Sequence, residues 1–413
     1  MRLDEDDFRL QNLETDSDVE QFLELMRKVF GETTGVDRLA KKLIDHHPIM
    51  TLQDFFVIKH EGRTVAGLNL IPVTWSVGGI PLKVAEMGCV ATLSEYRRQG
   101  LTRRLVSEFH KRVEEQNYHL AAIEGIPFFY RQFGYEYALP LLEETKIRFD
   151  KIPDYESKCT VRSFTDMDAS KAMALLEQSQ KKFYVHAVRS AEIWKIQQGT
   201  GIASDPEPFE SYAVEKEGEV IAYFRMRENP SDKEIMVTEI TDVDTLAAQA
   251  VLEFLKRMGN QRGIETLSAN ISYEEPFAQH LMSLGATKRT PTYAWQVRIT
   301  DYAEVFQKLK PLFEKRLAVS MYRELSERLN FNFRRFTVQV TVENGEFTNI
   351  QRLESSERSP IGLNPTVFVQ LVLGYHSRDE LEMVYPDFRI EVSHKHLIDV
   401  LFPKMPSYIH SAY

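Results

Sequence analysis

The stretch from Phe55 to Gln116 leaves this chain the fewest options. Its first half holds three runs of strand character, Phe55 to His60, Thr64 to Val77 and Leu82 to Thr92, parted by the turn pairs Glu61-Gly62 and Gly78-Gly79. Connections this short pair neighbouring strands antiparallel, so the runs read as a meander. The pattern then changes period. From Gln99 to Gln116, Leu101, Leu105, Phe109 and Val113 fall on one helical face with mainly charged residues opposite. A strand surface therefore gives way to an amphipathic helix across a short turn, and both need one shared core.

The flanking segments extend this unit. Ser17 and Glu20 form a capping-box pattern ahead of Phe22, Leu23, Met26, Val29 and Phe30, and Gly31 stops that helix. A second helix is expected over Val36 to His46, closed by Pro48. After Gln116 come a strand from His119 to Glu124, a short helix from Pro127 to Phe133 and closing strands from Tyr135 to Phe149. A similar order restarts at Thr160, with a helix around Met167 to Gln180, a strand pair at Ser211 to Met226 and a helix at Thr245 to Met258. Asp301 opens a third unit: a helix through Arg328, strands over Phe336 to Gln351 with an Asn344-Gly345 hairpin signal, the apolar run Val367 to Leu373, and a last helix from His394 to Phe402. The expected class is α+β, divided at 1–155, 156–300 and 301–413. Three units also suit 413 residues, which exceed what one core supports.

Composition narrows the partners. Lys and Arg total 51 against 61 Asp and Glu, a net charge of −10, which argues against nucleic acid and for a cationic ligand. Met1 to Asp7 carries four acids and leads into no apolar run, so no secretory signal is expected, and no apolar stretch reaches the roughly 18 residues of a membrane span. Cys89 and Cys159 are too few for a disulfide framework or a cysteine-rich zinc site. A cytoplasmic protein without membrane partners or a metal is the expectation.

The turn itself carries the chemistry. Arg97, Arg98, Arg103 and Arg104 crowd around Gly100 where strand becomes helix. A diphosphate cradle needs a small residue that lets backbone N–H groups approach, a helix N-terminus and nearby cations, and all three are present. The same arginines also suit the solvated face of a helix, and spacing alone leaves both readings open. The second unit has no counterpart, since Glu239 to Ala250 contains neither Gly nor Arg.

Val90-Ala91-Thr92 followed by Arg97-Arg98-Gln99-Gly100-Leu101-Thr102 resembles the acyl-coenzyme A motif of the GNAT acetyltransferase superfamily, Gln/Arg-x-x-Gly-x-Gly/Ala, with Thr102 in place of the last small residue. The segment Glu124 to Tyr135 resembles a second signature of that superfamily. The whole layout resembles the enhanced-intracellular-survival family of aminoglycoside acetyltransferases, which join an active GNAT domain, a degenerate one and a domain like sterol carrier protein. The resemblance implies acetyl-coenzyme A as cosubstrate, bound by Val90, Ala91 and Thr92 and by Arg97, Arg98, Gln99, Gly100, Leu101 and Thr102. It implies Tyr130 as the acid that protonates the departing thiolate, the terminal carboxylate of Tyr413 as the base, and Glu32 as a contact to the substrate. A cationic small-molecule amine, aminoglycoside-like or polyamine-like, is the implied acceptor. A homo-oligomer is implied as well, with a hexamer as the family's assembly.

Two other functions fit the same residues: acylation of protein or peptide amines, and non-catalytic binding of acyl-coenzyme A or lipid. His394 and His396 share a face if their segment is extended, but no third ligand is evident. Cys89 reads as an inert core thiol. The tail Ser407 to Tyr413 is unusually apolar for a chain end, which suits burial.

Overall fold

A computed structural model describes residues 7–141, 143–201, 209–229, 233–290, 293–354, 359–411 and 413. The chain begins with β1 (Phe8–Asn12), α1 (Asp16–Phe30), α2 (Val36–His46), β2 (Phe55–His60), β3 (Arg63–Val77), β4 (Ile80–Thr92), α3 (Leu101–Glu115), β5 (Leu120–Ile123) and β6 (Glu136–Leu141). The expected meander is present, with β2, β3 and β4 antiparallel neighbours. The cap of α1 lies two residues earlier than the Ser17/Glu20 pattern suggested. Thr15 accepts from the Asp18 N–H at 3.2 Å and the Asp18 carboxylate accepts from the Thr15 N–H at 3.0 Å, so a shorter acid closes the box. Lys59 on β2 pairs with the same carboxylate and ties the helix start to the sheet.

Next come β7 (Thr145–Arg148), β8 (Thr160–Ser163), α4 (Ala169–Gln180), β9 (Val185–Val188), α5 (Ala191–Thr200), β10 (Glu210–Lys216), β11 (Glu219–Asn229), β12 (Glu234–Ile240), α6 (Thr245–Arg262), β13 (Thr266–Ala269), α7 (Pro276–Ser283), β14 (Thr287–Lys288) and β15 (Tyr293–Ile299). The two sheets trade strands. The closing strands expected over Tyr135 to Phe149 part company: β6 stays in the first sheet, whereas β7 pairs with β13 and β14 in the second. In return β15 inserts between β5 and β6, and β9 pairs with β3. Period-2 patterning reports a strand, not which sheet receives it, so this exchange is invisible in sequence.

The last part holds α8 (Tyr302–Ala318), β16 (Glu327–Asn332), β17 (Thr337–Glu343), β18 (Glu346–Leu353), β19 (Ile361–Gly362), α9 (Pro365–Val372), α10 (Arg378–Val384), β20 (Arg389–Ile390) and α11 (Val392–Leu401). The helix expected through Arg328 ends at Ala318, and Arg328 lies in β16, whose Leu329 and Phe331 alternate into the core. Asn344 and Gly345 take φ of 50° and 80°, the left-handed pair that a two-residue hairpin demands. The architecture is mixed α+β, with two strand-exchanging sheets followed by a third sheet. Among the described residues no helix is long and apolar enough to cross a membrane.

After α11 the chain returns across the molecule. Pro406 O accepts from the Tyr184 N–H at 2.7 Å, the Ser407 hydroxyl accepts from Val185 N–H at 3.1 Å, and Tyr408 N–H donates to Val185 O at 3.0 Å. The tail thus lies along β9, the strand that already touches the first sheet. Ile409, His410 and Tyr413 are buried, and the terminus ends deep in the protein.

Candidate active site

β4 and β5 pair in parallel only from Val84↔Leu120 to Glu86↔Ala122. Beyond Glu86 the two diverge, because β4 runs on to Thr92 along β3 while β5 turns away after Ile123. A bulge sharpens the departure. Asn69 pairs with Gly88 but Gly67 pairs with Ala91, and Cys89 takes φ of 50° within the irregularity. The last residues of β4 therefore have a strand partner on one side only, and their other edge borders a cleft.

That cleft, about 510 Å³, is lined by Val90, Ala91 and Thr92, by Arg97, Arg98, Gly100, Leu101 and Thr102, and by Tyr130. Of the residues read as the cofactor site, Val90, Ala91, Thr92, Arg97, Arg98, Gly100, Leu101 and Thr102 line this one cleft together with Tyr130. Arg98 at φ 63° and Gly100 at φ 82° alternate with neighbours of negative φ, which curls the backbone into the kind of turn that gathers successive N–H groups around an anion. Gly100 is also the N-cap of α3 and supplies no side-chain bond, so the first amides of the helix keep their N–H groups for an anion. Nothing lies within 4 Å of where a Gly100 Cβ would stand, and it is the left-handed φ that calls for glycine there. Thr102 meets Thr92 through hydroxyls 3.1 Å apart, which locks the helix start to the end of β4.

Two of the sequence expectations at this turn change. Gln99 does not line the cleft; its Oε1 is buried without a partner among the described residues. Arg104 points away to the Phe8 carbonyl at 3.2 Å and serves β1, while Arg103 bonds Gln132 at 2.7 Å on the cleft rim. The second copy shows the contrast. Its equivalent helix α6 is capped by Asp244, whose carboxylate accepts from the Ala247 N–H at 2.8 Å, so a fixed negative charge fills the place of an anion.

The short helix expected over Pro127 to Phe133 is a single 3-10 turn, Tyr130–Phe133. It follows a loop gripped from behind by β15: the Gln296 amide donates to Gly125 O at 2.8 Å, and the Tyr293 hydroxyl bonds the same carbonyl. The Tyr130 ring packs onto Gly125 and edge-on to Tyr135 at 6.1 Å. Burial raises the Tyr130 phenol well above its usual range, so it stays protonated at neutral pH. Cys89 is buried and its thiol is pushed up to about 12, in keeping with an inert role.

A second, separate chamber of about 140 Å³ is lined by Tyr413 together with Glu86, Glu124, Trp75 and Trp295. The Tyr413 phenol donates to Glu86, and the Ser411 hydroxyl donates to the chain-end oxygen at 3.0 Å. Burial, then the neighbouring Glu124, lifts the Glu86 carboxyl well above the carboxylate range; burial lifts Glu124 to about 7. The Glu124 side chain keeps exposed surface and contributes to the chamber wall. Sequence reasoning missed this pair of acids. The available signal was Glu86 itself, a carboxylate at a buried position between the apolar Ala85 and Met87 of its strand. Glu32 stands exposed on the 3-10 turn Glu32–Thr34 and lines neither cavity. His394 and His396 lie on α11 rather than an extended segment, and they contact Glu327 at 3.1 Å and Tyr322 at 3.3 Å respectively.

Residues 12–138 match the family model for an acetyltransferase (GNAT) domain. No curated protein matches the chain. Among solved structures, a GCN5-related N-acetyltransferase from Anabaena variabilis superposes with a TM-score of 0.75 at 16% identity, over 98% of this chain and 100% of that one. A probable N-acyltransferase from Enterococcus faecalis gives 0.73 at 14%, and Eis1 from Mycobacterium abscessus 0.65 at 13%, each again over 98% of this chain and 100% of the other. These likenesses extend the shared fold to the whole chain. The matched domain makes the chain an acyl-coenzyme A-dependent acetyltransferase.

Proposed function

We propose that this enzyme transfers acetyl from acetyl-coenzyme A to an amine of a cationic small molecule by direct attack in a ternary complex. The observation that carries the reading is the splay of β4 from β5, with a curled turn and Tyr130 lining one cleft and the buried Tyr413 lining a neighbouring chamber that Glu86 of β4 also lines. The amides of Arg97 to Thr102 would hold the pyrophosphate, and the free edge of Val90 to Thr92 would pair with the pantetheine arm and donate N–H groups to the developing oxyanion. Tyr130, kept protonated by burial, would donate its proton to the departing thiolate.

The base in this reading is the terminal carboxylate of Tyr413. A free α-carboxylate titrates near about 3.5, too low to accept an ammonium proton, and removal from water raises it. Burial of Tyr413 in the chamber supports that requirement. The excess of 61 acids over 51 bases draws cations, and it extends to the chamber, where five glutamates face three arginines. The chain is read as three domains, 1–155, 156–300 and 301–413, the second a degenerate GNAT domain and the third resembling sterol carrier protein. Its role would be to deliver the tail and to build a homo-oligomer. The test is release of free thiol from acetyl-coenzyme A with a panel of amines. Small cationic amines should drive release; release with peptides alone, or binding without turnover, overturns the proposal.

A further inference from the structure

The 140 Å³ chamber is walled by the two sheets and the tail, and its charges are unevenly satisfied. Arg225 sits 3.5 Å from Glu239, and Arg289 sits 3.6 Å from Glu144, so these acids of the second-sheet side have cations. Glu86 and Glu124 on the first-sheet side form no ion pair among the described residues. Glu86 receives only the Tyr413 phenol, and Glu124 makes no hydrogen bond there. Two indoles complete this end, Trp75 and Trp295, edge to face at 5.7 Å. The Trp295 N–H, on a residue only 5% exposed, has no partner among the described residues although the residue lines the chamber. Buried donors are nearly always satisfied, so an unmatched one beside a chamber marks a place for a ligand or its water.

From these features we propose that the chamber is the acceptor seat, and that it selects a primary ammonium on a slim, unbranched arm, with its head between Glu86 and Glu124 and its arm along Trp75 and Trp295. The inference rests on the acetyltransferase reading and narrows its substrate class. Two acids without a cation call for a positive head, and aromatic faces attract one as well. Size decides the rest. A cavity of about 150 Å³ holds a benzene-sized guest, so this one admits the terminal segment of a linear amine, about five or six heavy atoms, the rest of which extends outside, and does not admit a multi-ring amine. The seat also adjoins Tyr413, the proposed base, and its Glu86 and Glu124 lie on β4 and just after β5, the strands that part at the cofactor cleft.

Calorimetric titration of the full chain with 1,5-diaminopentane, spermidine and kanamycin tests the seat without requiring turnover. Thiol-release kinetics with the same amines then test transfer. The linear amines should bind, with kcat/KM at least about tenfold above kanamycin. Glu124→Gln should weaken their binding by about tenfold or more, as expected when one partner of an enclosed charge pair is neutralised, and leave the KM for acetyl-coenzyme A unchanged. Trp295→Phe, which keeps the ring and removes the N–H, should weaken binding less. Kanamycin turnover equal to that of the linear amines, or Glu124→Gln binding spermidine as the parent does, overturns the seat and leaves the transferase reading standing. Glu124-dependent spermidine binding with no thiol release from any amine has the opposite effect: it keeps the seat and removes the transferase reading.

Discussion

Gly125→Ala adds one methyl group where the loop after β5 passes the Tyr130 ring. A Cβ there falls well inside contact distance of two ring carbons, Cδ2 and Cε2, and 3.1 Å from Gln296 Nε2. Non-bonded carbons rest about 3.5–4.0 Å apart, so the ring must retreat by more than about 1 Å. The loop cannot yield instead, because the Gln296 amide holds the Gly125 carbonyl at 2.8 Å. Gly125 is not in the left-handed region, so alanine takes the same backbone without strain. The effect is then a displaced phenol at a cost of roughly 1–3 kcal/mol in stability, the usual range for overpacking. A misplacement of about 1 Å at a proton donor lowers kcat by about 10²-fold. Thiol release under saturating acetyl-coenzyme A and amine reads kcat, thermal unfolding reads the packing cost, and cofactor titration should show little change. If stability falls as expected but kcat stays within about twofold of the parent, the Tyr130 ring moves without consequence and its assignment as the acid fails.

Tyr130→Phe should lower kcat by about 10²- to 10⁴-fold with acetyl-coenzyme A affinity nearly unchanged, measured by single-turnover kinetics. Extending the chain by two glycines after Tyr413 should abolish transfer while coenzyme A still binds; full activity would remove the carboxylate from the mechanism. Burial raises the Glu124 pKa from 4.5 to about 7, so ionising it opposes folding and stability falls as pH rises through that window. Glu124→Gln should therefore raise Tm more at pH 8 than at pH 5, and an equal gain at both would contradict the enclosed charge. Asp18 runs the other way. Despite burial, its bonds to Lys59 and the helix-start amides hold its pKa at about 2 against 3.8, so it contributes roughly 2 kcal/mol above pH 4 that is lost as pH falls toward 2. Asp18→Ala should unfold more easily at pH 7 than the parent, with the gap narrowing steadily as pH falls from 4 through 2.

The parts legible in sequence were those set by local rules. Helical period placed α2 and α3, the Gly62 and Gly78-Gly79 turns bounded the meander, and Asn344-Gly345 marked its hairpin because few residues accept two left-handed φ values in succession. The cleft was legible because residues 90–102 are contiguous and Tyr130 follows a short strand. The chamber was not. It is made by residues as distant as Glu86 and Tyr413, joined only after β15 crosses to the first sheet and the tail returns along β9. Strand exchange and tail docking depend on which surfaces meet in three dimensions, and alternation along one strand carries no record of them.

Amide hydrogen exchange with and without coenzyme A tests the central assignment most directly, since the ligand's phosphates are proposed to take the N–H groups of the curled turn and the first turn of α3. Protection should rise at residues 97–104 and along Val90 to Thr92, with no change at the capped start of α6. Protection at α6 or elsewhere, with residues 97–104 exchanging as fast as in the free protein, would contradict it.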